Sequence, residues 1–292
     1  METINTLINL FPYALMGSVL AGIICSFLGV FVVSQRAVFF GASLTQVSIA
    51  GVAFAFLHLV NLEGLAGSVF LTKIIGASFL HEFEHTFFSL LFSLIAVLIF
   101  SQSYRQRLIT RDGLLGIIFV LAIALRIMFI QKSPVAEISE IEAIMKGDIL
   151  FIGANEFYTM LVVLFIVFLI FGIFSRQLKF VTFDAETALA HGVNSRFWLL
   201  FFYLTVGVGI SLTTRFVGDV FTFAYLILPS STGLLLGKKV IHVFIIAVIV
   251  GAVIPPISIW LAFILDFSSG PAAVVLSFLV FISVYGIKKF AG

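Results

Sequence analysis

The pentapeptide His81-Glu82-Phe83-Glu84-His85 has the H-E-x-x-H spacing. On a helix its imidazoles fall at i and i+4 on one face, where they can share a zinc ion. Three readings fit it: polarity at the end of a surface segment, a two-histidine capture point for a metal, or the zinc centre of a membrane metalloprotease. The last needs a third protein ligand, and His58, His191 and His242 suit that role poorly. Two further ionisable residues stand apart in the sequence: Asp219 at a span end and Arg126 within a span. An acid in such a place usually faces a path or cavity, and an arginine there either snorkels or pairs with an acid. For Asp219 the alternative is a carboxylate reaching the outer interface.

A third group sits between two apolar runs. Asp184-Ala-Glu-Thr-Ala-Leu-Ala-His191-Gly192 has the grammar of a short helix. Asp184 suits the N-cap, Glu186 the first turn and Gly192 the stop. The segment is either a docking knob for a partner or an ordinary loop helix. Gly233 to Lys239 lacks the spacing and the Ser or Thr of a phosphate-binding loop, so this chain is not expected to hydrolyse nucleotide. Cys25 is the single cysteine and is expected simply to pack.

The elements that carry these residues follow from composition. Of 292 residues, 62% are hydrophobic and only 10% charged, and the mean hydropathy is +1.25. A soluble domain carries roughly 25% charged residues. A soluble enzyme, a disordered chain and a nucleic-acid-binding domain are thereby excluded, and apolar runs of this length argue against a barrel. The net charge of +2 names no partner. The expectation is an all-α polytopic membrane bundle of about nine spans, with eight as the alternative. The nine are near Leu10–Val33, Ala37–Val60, Thr86–Phe100, Asp112–Ile130, Glu156–Ser175, Phe197–Thr213, Phe216–Leu236, Ile241–Leu265 and Pro271–Ile287. The third is short and has room to begin earlier. No removable signal peptide is expected at the N-terminus.

Loop charges set the orientation. With the N-terminus outside, the inner loops hold Arg36, Arg105, Arg107, Arg111, Arg176, Lys179, Arg196, Lys238, Lys239, Lys288 and Lys289. Only Lys73, Lys132, Lys146 and Arg215 fall outside, so N-out, C-in is expected. Most acids fall outside, among them Glu137, Glu140, Glu142 and Asp148. They either raise the local cation concentration or merely solvate a loop. The whole chain, 1–292, reads as one transmembrane domain. It carries a cytoplasmic loop at 176–196 and an amphipathic or re-entrant extracytoplasmic insertion at 61–85. Gly17, Gly22, Gly29, Gly207 and Gly209 are expected at close helix contacts. Pro229 and Pro255-Pro256 are expected to break helices inside spans. Pro229, followed by Ser230, is the better candidate for a path.

The loop segment DAETALAHGV (Asp184 to Val193) resembles the coupling helix of the membrane subunits of ABC importers for zinc, manganese and iron. Five further segments, in order, are similar to that family: Ser34 to Gly41, Asp112 to Phe119, Gly147 to Leu150, Arg215 to Gly233, and Asp266 to Pro271. The resemblance implies an integral permease of the bacterial cytoplasmic membrane that moves a divalent transition metal. It implies a cytoplasmic ATPase dimer that holds the ATP, an extracytoplasmic substrate-binding protein, and a second permease copy or a paralogous one. It assigns coupling to Asp184, Ala185, Glu186, Leu189, Ala190 and Gly192, and the path to Ser43 and Gln46, beside Asp219, Pro229 and Ser230. Where the family's path carries Asp and His, this chain has Ala42 and Gln46, so the ligand set does not carry over intact. His81, His85 and Asp219 are the remaining metal candidates. The other function classes are a stand-alone secondary cation transporter and, using His81, Glu82 and His85, a membrane zinc protease.

Overall fold

The computed structural model describes residues 11–57, 77–102, 110–133, 149, 152–183 and 194–291. Ten helices span them: α1 Pro12–Ser34, α2 Val38–Ala55, α3 Ala77–Gln102, α4 Arg111–Lys132, α5 Ala154–Ile173, α6 Ser175–Phe183, α7 Ser195–Val217, α8 Asp219–Leu236, α9 Val240–Leu265 and α10 Ser269–Ala291. All but the nine-residue α6 contain a stretch long and apolar enough to cross a membrane. With no water in a bilayer core, each apolar run satisfies its backbone internally as a helix, and for that reason the apolar runs and the helices nearly coincide.

Two helices organise the bundle. α1 packs against α8 and α9, and α2 against α3, α4, α7 and α8. Small residues make the α1 contacts possible. A β-carbon on Gly22 would lie 1.9 Å from the Gly251 carbonyl oxygen, and one on Gly29 would lie 2.0 Å from that of Leu226. Backbones can meet this closely only without side chains, which is how helices gain dispersion energy where lipid offers no hydrophobic drive. Gly17, Gly207 and Gly209 also face tight neighbours, as the sequence predicts. Along the α1–α8 seam Ser230 donates to the Ser26 carbonyl at 3.0 Å. Among phenylalanines, Phe27, Phe31, Phe171 and Phe244 form a ring cluster between α1, α5 and α9.

The structure departs from the sequence reading in two places and bears on a third. α3 begins at Ala77, the earlier start that the short third span left room for, so residues 77–85 are helical and continue directly into that span. Packing explains the extension: Glu84 and His85 are buried, and the His85 ring lies 4.2 Å from that of Phe56. Pro229, Pro255 and Pro256 lie inside unbroken helices and do not interrupt them. α6 was not foreseen, because its apolar content is low; Leu178 and Val181 bury one face of it. Four expectations fall outside the described residues: the segment 184–193, the loop 134–148, His58 and the remainder of the 61–85 insertion.

Candidate functional site

Three polar residues from separate helices converge inside the bundle. Gln46 lies midway along α2, which is buried over most of its length. Asp219 opens α8. It can start there because Gly218 ends α7 with φ of 81° and turns the chain at once, a conformation that costs glycine little. Arg126 comes from the last two turns of α4. The Gln46 amide donates from Nε2 to Asp219 Oδ2 at 2.8 Å. Arg126 Nη1 donates to Gln46 Oε1 at 2.9 Å and to the same Asp219 Oδ2 at 3.2 Å. The other carboxylate oxygen, Oδ1, accepts the Val220 backbone N–H at 2.7 Å. Side-chain exposure is 15% for Arg126 and 9% for Asp219.

Each contact has a physical reason. An acid at a helix N-terminus is favoured by the unsatisfied backbone donors and the helix dipole. In hydrocarbon an unpaired carboxylate or guanidinium is costly, roughly 2.5–3.5 kcal/mol at a helix centre, so the two charges neutralise each other. Gln46 bridges them because an amide both donates and accepts. Arg126 Nε is buried and has no hydrogen-bond partner, so the guanidinium uses one edge of its fork and leaves the Nε donor unmatched.

The triad decides what the oxygens can hold. Gln46 Oε1 and Asp219 Oδ2 could contribute to a hard-cation site, but they are poor donors for a soft one. Both already accept from Arg126. A divalent ion on Asp219 would lie about 4 Å from the guanidinium, where charges of +2 and +1 repel by about 8 kcal/mol at an effective dielectric of about 20. As arranged, the site is closed to such an ion.

The other path candidates are committed to packing. The Ser43 hydroxyl shares its proton between the Phe39 and Leu115 carbonyls at 2.8 and 3.0 Å, tying α2 to α4. Ala42 is buried beside it and offers no donor. Ser230 is spent on Ser26, and Pro229 is buried within α8. Among the described residues, no hydrogen bond joins Ser43 or Ser230 to Gln46 or Asp219. The side chain of His81 falls outside the described residues. Among the described residues, no three His, Cys, Asp or Glu side chains gather as a metal site would require. Sequence reasoning weighed Asp219 and Gln46 as path residues, but separately and without Arg126 as their partner. The signal available was an arginine within an apolar run, together with the rule that intramembrane charges pair.

Comparison with known proteins places this bundle. The model of the ABC 3 transport family matches residues 8–287. The chain is 24% identical over 268 residues to the manganese transport system membrane protein MntC of Listeria innocua, covering 92% of this chain and 87% of that one. It is 23% identical over 269 residues to a probable iron transport system membrane protein of Haemophilus influenzae, covering 92% and 86%. Among solved structures, PsaBC from Streptococcus pneumoniae in complex with Fab shares the fold. It has a TM-score of 0.78 and 20% identity, over 97% of this chain and 94% of that one. A helical bundle of this topology, matched along nearly its whole length, is a multi-pass integral membrane protein that belongs to the ABC 3 transport family.

Proposed function

We propose that this chain is the permease subunit of an ATP-driven importer that carries a divalent transition metal across the bacterial cytoplasmic membrane. The observation that carries the reading is the family match over residues 8–287, on a chain with nine described helices long and apolar enough to cross a membrane. The names of the relatives, which concern manganese and iron, support a metal as cargo. Energy then enters from a partner ATPase dimer through the Asp184–Gly192 segment. α6 supports this assignment. It packs against α5 and α7, with Leu178 and Val181 buried, and leads directly into that segment. A helix anchored in this way can pass a push on the segment to two spans.

In this reading the N-terminus is outside and the C-terminus inside. Lys288 donates to the Leu235 carbonyl. This groups the ends of α8 and α10 with Lys238, Lys239 and Lys289 on one side, as the positive-inside rule requires. A second permease copy, or a paralogous chain, completes the pathway, and an extracytoplasmic binding protein delivers the metal. The test is ATP-dependent uptake of manganese, iron or zinc by proteoliposomes that hold this chain with its ATPase. Uptake without any ATPase would favour a stand-alone carrier.

A further inference from the structure

We propose that the Arg126 guanidinium is a built-in cation of this permease. It occupies the Gln46 and Asp219 oxygens and keeps a free divalent ion off them until α4 draws it away. The inference rests on the permease reading, and it concerns how that pathway selects and admits its cargo.

Four observations carry it. First, Arg126 lies on both oxygens that could ligate an ion, at 2.9 and 3.2 Å, so ion and guanidinium compete for the same lone pairs. Second, the fit is incomplete. The buried Nε has no partner, so the guanidinium is not locked as a purely structural arginine with a full set of acceptors would be. Third, the charge comes from a helix at the rim of the bundle. α4 packs chiefly against α2, and most of it faces outward. Gln46 and Asp219 belong to the core helices α2 and α8. Fourth, α4 is tied to α2 nearby by the Ser43 bond to the Leu115 carbonyl. That contact lies more than two turns before Arg126, so withdrawing Arg126 while keeping the tie requires the Phe129 ring to slide from Phe54 and Phe92.

The exchange balances in charge and in contacts. With the guanidinium in place, Asp219 is neutralised and Gln46 is satisfied. When it leaves, one carboxylate and one amide carbonyl face the same space with a net negative charge. A divalent ion, completing its shell with water, is then the natural replacement. A permanently open set of these ligands would bind ions whatever the state of the partner ATPase.

The experiment measures binding of Mn2+ and Zn2+, each alone, to the purified full-length chain in lipid nanodiscs by equilibrium dialysis. Arg126→Gln is expected to bind at least 100-fold more tightly than the wild type, and Asp219→Asn on that background is expected to abolish the gain. Arg126→Met serves as the second variant should Arg126→Gln fail to fold, and Arg126→Lys is expected to gain little because it keeps the charge. Wild-type binding as tight as that of Arg126→Gln and lost in Asp219→Asn would overturn the inference, as would no gain in either neutral variant. Wild-type uptake, measured separately with the ATPase, tests the permease reading. Uptake without a gain of binding sinks the inference alone, and a gain of binding without uptake sinks the reading alone.

Discussion

Gln46 Nε2 and Asp219 Oδ2 meet at 2.8 Å across 173 residues of sequence. The bond joins the centre of α2 to the first residue of α8, with Arg126 of α4 closing the triangle. Three helices that pack in different directions are thus tied at one polar point within an apolar body, and the energetics of that point are testable.

Removing one charge leaves the other buried and unpaired, whereas removing both leaves no charge, only the Gln46 amide without these two partners. Arg126→Met and Asp219→Leu should each lower the thermal midpoint in detergent, by the equivalent of about 3–5 kcal/mol. The double variant should be less destabilised than the sum of the singles, with a coupling of about 1–3 kcal/mol. Strict additivity would show that the pair contributes nothing as a pair.

The α1 seam makes a sharper stability prediction. A β-carbon at Gly29 would meet the Leu226 carbonyl oxygen at 2.0 Å, with no flexible atom to give way. Gly29→Ala should force α1 and α8 apart and cost about 1–3 kcal/mol or more. At Gly172 a β-carbon meets nothing within 4 Å, and Gly172→Ala should be neutral or slightly stabilising, since alanine is the better helix former. Thermal unfolding of the two variants side by side checks this. Equal effects would contradict the packing described here.

His85 separates packing from metal capture. Its ring is buried against Phe56 at 4.2 Å. His85→Ala should lower the thermal midpoint by the same amount with and without a chelator. A shift seen only in the metal-loaded sample would support the capture reading of the HEFEH segment.

The spans were legible in the sequence because lipid imposes one rule everywhere: a long apolar run becomes a helix. The glycines at positions 22 and 29 were legible for the same reason, since small residues in such runs mark close approach. The start of α3 was obscured by Glu82 and Glu84. Their charge suggests a surface, and only tertiary burial of Glu84 and His85 reveals otherwise. The prolines of α8 and α9 misled because the helices run through them. The triad was legible only in pieces. An amide, an acid and an arginine each stood out in an apolar setting, but a contact between positions 46, 126 and 219 depends on how α2, α4 and α8 pack. Local pattern does not encode that packing.

Coupling should localise to one short segment. Glu186→Arg and Leu189→Arg should reduce ATP-dependent metal uptake at least tenfold while leaving membrane insertion and thermal stability unchanged. Uptake by these variants at the wild-type rate would remove the segment from the mechanism.

The most direct measurement is accumulation of radioactive manganese in proteoliposomes that contain this chain, with and without its ATPase and with and without ATP. The account predicts accumulation only when ATPase and ATP are both present. Accumulation driven by this chain alone, or by an ion gradient with no nucleotide, would contradict it.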